Sequence, residues 1–240
     1  MATDDRSRNR ALWAGGGAAA VAGVVHALPA ASQPVPALGR LLGVDTQTAS
    51  RRGVALTFDD GPHPQGTRAV LEILQAYGVR ATFFLVGEQV VRSPATAAEV
   101  VAAGHTIALH GDRHRNMLRL APWQVRDDLR RGEERVGAVS GRPLELYRPP
   151  YGVFNAAALA HARRRGWRPL LWTQWGRDWA ARATPESIAS KLLDGVGEGS
   201  VLLLHDADDY SAPGSWRRTA AALPRVLDGL AERGFAITDA

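Results

Sequence analysis

The chain has 240 residues, 45% hydrophobic and 22% charged, a balance that suits one large globular domain or two small ones and excludes wholesale disorder, collagen-like repeats and a polytopic membrane protein. Cysteine is absent, which excludes disulfide scaffolds, thiolate nucleophiles and Cys-ligated zinc or iron–sulfur sites, so any metal must rely on His, Asp and Glu. The net charge is +5, but Lys191 is the only lysine among 29 basic residues, and the arginines are spread along the chain with no aromatic-interleaved basic stripe; this argues against a nucleic-acid partner.

At the N-terminus, Arg6, Arg8 and Arg10 precede an uncharged stretch over residues 11–31, the layout of a positive n-region before an apolar h-region. Leu12, Trp13, Val21, Val24, Val25 and Leu28 make the stretch apolar, while alanines, Gly15 to Gly17, Gly23 and His26 dilute it, so a signal peptide and a single membrane anchor are not separated. A small Ala/Gly-rich helix packed on the domain is the third reading. Ala30 and Ser32 are small residues spaced as a cleavage site needs them, and Pro34 and Pro36 open a loose linker running to about residue 50. The expected division is a signal peptide or anchor over 1–32, a linker over 33–50 and a folded domain over 51–240. The domain is then exported, either secreted or held at the outer face of a bacterial cytoplasmic membrane.

From Arg51 onward short apolar runs alternate with helical stretches. Residues 54–58, 81–86, 106–109, 144–147, 169–173, 201–204 and 235–238 read as buried strands. Between them, residues 67–77, 94–103, 122–140, 155–165, 185–195 and 216–233 carry apolar residues at helical spacing. Seven strands and six helices in this order fit a parallel α/β barrel, in which active sites are built from the loops that follow the strands.

Polar residues gather at those positions. The first strand runs into Asp59 and Asp60, followed by Gly61 and Pro62, which read equally well as a turn. The third ends at His110, with His114 four residues on; two solvated histidines would show the same spacing, but on a helical turn the two imidazoles share a face and, with a carboxylate such as Asp60 at the same barrel mouth, can make a metal site with open positions. The fourth ends in Tyr147-Arg148-Pro149-Pro150-Tyr151-Gly152, which puts an arginine in the barrel mouth. Trp172, Trp175 and Trp179 lie within eight residues, beside Asp178, and suit either core packing or a sugar-binding wall. The apolar run 201–204 leads into His205, which reads equally well as a functional group at the barrel mouth or as a satisfied core histidine.

Together the ordered segments TFDDGP, H-x-x-x-H, RPPYG, RDW and LLLHD resemble the five motifs of the NodB-type polysaccharide deacetylases, the family-four carbohydrate esterases, over residues 51–240. The resemblance implies a distorted (β/α)7 barrel that removes acetyl groups from N- or O-acetylated sugars with a divalent metal, usually Zn2+, with Co2+ or Ni2+ also suited to such a site. It implies that Asp60, His110 and His114 hold the metal. Asp59 is then the base for attack by metal-bound water, and Arg148 orients it. The Tyr151 N–H joins the metal in holding the oxyanion, and Leu203 and Trp179 line the acetyl pocket. His205 is the general acid, kept charged by Asp178.

Three features depart from that pattern. Gly111 stands where family members carry Ser or Thr, which removes a loop-fixing hydrogen bond. Trp175 replaces a second acid three residues before Asp178, which bears on the network behind the acid and on the shape of the wall. Asp112 and Arg113 add two charges between the metal histidines. The expected partner is an acetylated glycan of the cell wall or extracellular matrix. The competing readings are an amidohydrolase acting on a small non-carbohydrate amide and a non-catalytic glycan-binding barrel.

Overall fold

Strands covered on both faces are apolar throughout, and the first two strands of this chain are buried at every residue. The computed structural model describes residue 21 and residues 23–240. Its seven strands are β1 (Ala55–Asp59), β2 (Thr82–Leu85), β3 (Thr106–Leu109), β4 (Leu146–Tyr147), β5 (Arg168–Pro169), β6 (Gln174–Trp175) and β7 (Val201–His205). All pair in parallel in the order β5-β4-β3-β2-β1-β7-β6, a sheet curled into the expected distorted (β/α)7 barrel.

The helices are α1 (Pro36–Leu41), α2 (Gly66–Ala76), α3 (Gly87–Arg92), α4 (Pro94–Ala102), α5 (Pro122–Ser140), α6 (Ala156–Arg165), α7 (Pro185–Leu193) and α8 (Ser215–Glu232). Local chemistry sets their ends. Pro122 occupies the first turn of α5 and Gly141 closes it in the left-handed region, φ 65°. The Asn155 side chain caps α6 by accepting from the Ala158 N–H. Six of the eight correspond to the helices expected from apolar spacing; α1 and α3, each only six residues long, are the additions.

Two strand expectations are corrected. Residues 169–173 are not one strand: β5 and β6 lie at opposite edges of the sheet, and residues 170–173 cross between them. Residues 235–238 contribute only a one-residue bridge, Ile237 to Val54, because the parallel place beside β1 is already taken by β7. The segment 33–50 is not loose. It contains α1, buries Val44, and runs along the open side of the barrel: the Asp45 N–H donates to the Pro169 carbonyl (2.9 Å), the Leu171 N–H donates to the Asp45 carbonyl (2.7 Å), and the Thr48 N–H donates to the Gly199 carbonyl (2.9 Å).

Most of the expected leader lies outside the described residues. Within them, Leu28–Ser32 forms a 3-10 turn that buries Pro29 and Ser32, whereas Val21, Val24, Val25 and Leu28 are exposed. Among the described residues no helix is long and apolar enough to cross a membrane.

Candidate metal-dependent active site

The C-terminal ends of the strands converge on a cavity of about 250 Å³ lined by Asp59, Asp60, His110, His114, Tyr151, Trp179, Leu203 and His205, among others. All of these were expected at the site. Arg148 and Asp178, which complete the expected set, lie behind it, fully buried. Asp59 and His205 are register partners at the ends of β1 and β7, so the two groups expected to move protons project from adjacent strands.

The Asp59 carboxylate is held from one side. Arg148 Nη1 donates to Asp59 Oδ1 (2.7 Å) and to Thr57 Oγ1 (2.8 Å), while its Nε and Nη2 donate to the Leu170 and Leu171 carbonyls (3.1 and 2.9 Å). Those carbonyls belong to the crossing between β5 and β6. The unexpected break in the strand therefore supplies the acceptors that let a guanidinium sit in the barrel interior. Burial pulls the Arg148 guanidinium below its ordinary value and Asp59 opposes that shift.

Asp60 follows in the left-handed region, φ 82°, which turns its side chain away from that of Asp59 toward the histidines. Its Oδ1 is buried with no hydrogen-bond partner among the described residues and lies 3.5 Å from His110 Nε2 and 3.2 Å from His114 Nε2. The tautomer of His110 is fixed because its Nδ1 sits 2.8 Å from the Arg148 carbonyl, which can only accept; Nε2 therefore presents a lone pair to Asp60. Acceptors facing one another in a buried site need a cation between them. Ligands about 2.1 Å from a tetrahedral ion stand about 3.4 Å apart, close to the observed separations, so these residues fit a divalent metal. His110 and His114 stand on an irregular loop rather than a helical turn; Gly111, at φ 86°, gives the loop its bend.

His205 is fixed through Asp178. The His205 Nδ1–H donates to Asp178 Oδ1 (2.9 Å), while Asp178 Oδ2 accepts from the His205 N–H (2.7 Å) and from Thr219 Oγ1 (2.8 Å). Burial alone lowers a histidine, but Asp178 outweighs it, with Asp60 and Asp59 adding to the effect, and the imidazole is pushed up to about 10. His205 thus holds its proton at neutral pH, with Nε2 the nitrogen left for the cavity.

The sequence departures have structural counterparts. A side chain at Gly111 would place its Cβ 3.2 Å from Asp128 Oδ2, and that carboxylate on α5 does the work of fixing the loop: it accepts from the Asp112 N–H (3.1 Å), and its Oδ1 accepts from Arg115 (2.6 Å). Asp112 is buried and pairs with Arg135 (2.7 Å) and Arg131 (3.3 Å). Nothing in the structure explains Arg113. Trp175 packs with Trp172 and Trp179, ring centroids 5.8 and 5.2 Å apart, and is 38% exposed, so the place of the second acid is taken by an aromatic wall. Asp128, Asp112 and Tyr210, which packs against His114, were not singled out as site residues by motif reading. Only the i, i+3 and i, i+4 spacing of Asp128, Arg131 and Arg135 along a helix hinted at a charged face.

Comparison with known proteins agrees with this geometry. The family model described as polysaccharide deacetylase matches residues 46–170, just over half of the chain. The chain belongs to the polysaccharide deacetylase family. It is a carbohydrate deacetylase of the family-four esterase type. It is 33% identical to a chitooligosaccharide deacetylase of Azorhizobium caulinodans, over 79% of this chain and 93% of that one. It is 34% identical to a peptidoglycan-N-acetylglucosamine deacetylase of Bacillus cereus, over 76% and 83%. The structure of a family 4 carbohydrate esterase from Streptomyces lividans in complex with acetate superposes with a TM-score of 0.68, at 30% identity over 78% of this chain and 91% of that one. Some solved relatives run longer, and this chain spans 65% of one of them.

Proposed function

We propose that this deacetylase is an exported, metal-dependent hydrolase of N-acetyl groups, or O-acetyl groups, on cell-wall or extracellular glycans. The observation that carries the reading is the presence in one cavity of a lone-pair cluster suited to a cation and of two separately anchored acid/base groups, Asp59 with Arg148 and His205 with Asp178. A divalent cation at Asp60, His110 and His114 supplies Lewis-acid polarisation of the acyl oxygen and brings the pKa of a water toward neutrality. Asp59, its Oδ1 tied to Arg148, takes the proton of the attacking water at Oδ2. The backbone N–H of Tyr151, on a turn at φ 62°, donates to the oxyanion. His205 passes the Nε2 proton to the leaving nitrogen, which departs poorly without it. Leu203 and Trp179 cover the acyl methyl and exclude water, and the neighbouring tryptophan faces suit the C–H faces of a sugar ring. Export is supported by Arg6, Arg8 and Arg10 ahead of the uncharged residues 11–31.

The test is acetate release by the zinc-loaded protein from peptidoglycan, chitooligosaccharides, poly-N-acetylglucosamine and acetylxylan, with Asp59→Asn alongside. Wild type should release acetate from at least one glycan. Asp59→Asn should keep stoichiometric zinc and lose on the order of 10² to 10⁴ in turnover. Hydrolysis of a small cyclic amide with no glycan activity would make the protein an amidohydrolase, and tight glycan binding without acetate release would make it a binding barrel. A fusion of residues 1–50 to a periplasm-dependent reporter should be active in a bacterial host; a silent fusion overturns the export assignment.

A further inference from the structure

The two histidines offered to the metal are held by different means. His110 donates from Nδ1 to the Arg148 carbonyl, the hydrogen bond from the far ring nitrogen that ordinarily orients a metal-binding imidazole. His114 has no such bond: its Nδ1 is buried without a partner among the described residues. Its ring is held by faces and edges instead. Tyr210 lies parallel to it, centroids 4.2 Å apart and planes 9° from parallel, and Tyr151 meets it edge-on at 4.5 Å.

Tyr210 is itself firmly seated. Its hydroxyl donates to Glu88 Oε1 (2.8 Å) and accepts from Gln89 Nε2 (3.0 Å), both on α3. The loop that carries it after β7 is braced in turn, with the Gly214 N–H donating to Asp208 Oδ2 (2.5 Å). His63 Nδ1 accepts from the Gly66 N–H (2.9 Å), so its Nε2 carries the proton that faces Asp208 Oδ1 at 3.5 Å.

We propose that Tyr210 is the positioning residue of His114: its ring face, parallel to the imidazole, sets the plane that turns Nε2 toward Asp60. Tyr210 lies five residues after His205, in the loop that follows β7, so the segment that presents the acid also sets the geometry of the second metal ligand. The inference rests on the metal reading of Asp60, His110 and His114.

The experiment measures zinc affinity by chelator competition, and the absorption spectrum of the Co2+-substituted protein, for wild type, Tyr210→Phe, Tyr210→Leu and His110→Ala. Thermal unfolding of each metal-free variant checks the fold. Tyr210→Leu fills the space but removes the aromatic face, and should weaken zinc binding about tenfold to a hundredfold, the range for losing a residue that orients a metal ligand, with altered Co2+ bands. Tyr210→Phe keeps the face and should bind zinc within a few-fold of wild type. Wild-type affinity in Tyr210→Leu overturns the proposal, and so does a loss in Tyr210→Phe as large as that in Tyr210→Leu, which would assign the role to the hydroxyl. His110→Ala reads the underlying site separately. If it keeps full zinc, the metal reading itself fails; if it loses zinc while Tyr210→Leu does not, only the Tyr210 assignment falls.

Discussion

In the proposed reaction His205 works as an acid only while it is protonated, and Asp178 is the group that holds its proton. The Asp178 carboxylate touches both the ring and the backbone of the same residue, so it fixes orientation and charge together. A histidine raised to about 10 loses its proton as pH rises through that value, which makes the alkaline limb of the rate profile the limb of the acid. Asp59 and Asp60 contribute to the raise, and a cation at Asp60 opposes their part; the Asp178 part remains. In Asp178→Asn burial is no longer outweighed by its largest opponent, so the limb should move to lower pH, toward the ordinary histidine value of about 6.5. A pH–rate profile on an acetamido sugar checks this, and an unmoved limb would remove Asp178 from the role. His205→Ala should lose more on the amide than on an activated aryl acetate, whose leaving group departs without a proton. At this scale the motif residues were legible because they lie at strand ends or within a few residues of them and are of types that the chemistry requires. Tyr210 was not, because what marks it is a ring-to-ring contact with His114 from a loop whose sequence, Asp208-Asp209-Tyr210-Ser211, reads as an ordinary polar turn.

The loop that carries His110 and His114 depends on helix α5 as much as on its own residues. Asp128 holds the Asp112 N–H and Arg115, Arg131 and Arg135 hold the Asp112 carboxylate, and Gly132 lets the helix approach so closely that a Cβ there would lie 2.8 Å from the Asp112 nitrogen. Gly87, at the start of α3, does the same from the other side, where a Cβ would lie 2.6 Å from Asp112 Oδ1. Asp112 thus sits between two helices at glycine contacts. Asp128→Ala leaves a buried backbone N–H without its acceptor and should lower stability by about 1–3 kcal/mol. Denaturant unfolding of the metal-free protein measures that directly, and zinc affinity should fall with it as the loop loosens. Unchanged stability would show that water satisfies the Asp112 N–H. The sequence carried α5 plainly, since nineteen residues with Pro at the first turn and Gly at the end leave little ambiguity. It did not carry α3, whose six residues follow β2 without a separating turn. Nor did it carry the ion pairs to Asp112, because they join positions about twenty residues apart on faces that only the fold brings together.

Across the whole molecule the difficult region is the gap between the sheet edges, β5 and β6. An open edge leaves backbone groups without partners, and here two devices cover it. Arg148 fills the interior side, its Nε and Nη2 bonded to the carbonyls of the crossing residues Leu170 and Leu171. Residues 44–48 cover the outer side through the hydrogen bonds of Asp45 and Thr48 and the burial of Val44. A boundary drawn at residue 51 by composition therefore falls after a segment that belongs to the barrel. Pro34 and Pro36 suggested a linker, but Pro36 opens α1, a position where proline starts a helix as readily as it breaks one. It follows that the fragment 51–240 should be less stable than 33–240. Cutting at 51 removes the three backbone hydrogen bonds to Pro169, Leu171 and Gly199, worth on the order of 1 kcal/mol each, and the burial of a valine worth about 1.5–3 kcal/mol. Since Leu170 and Leu171 also carry the acceptors of Arg148, a loosened crossing should reach Asp59, so acetate release by 51–240 should fall even at temperatures where the fragment is folded. Denaturant midpoints of the two fragments, with turnover measured well below both transitions, separate the effects. Equal midpoints would return residues 33–50 to the role of a linker, whereas a lower midpoint with undiminished turnover would leave the segment a purely structural cover.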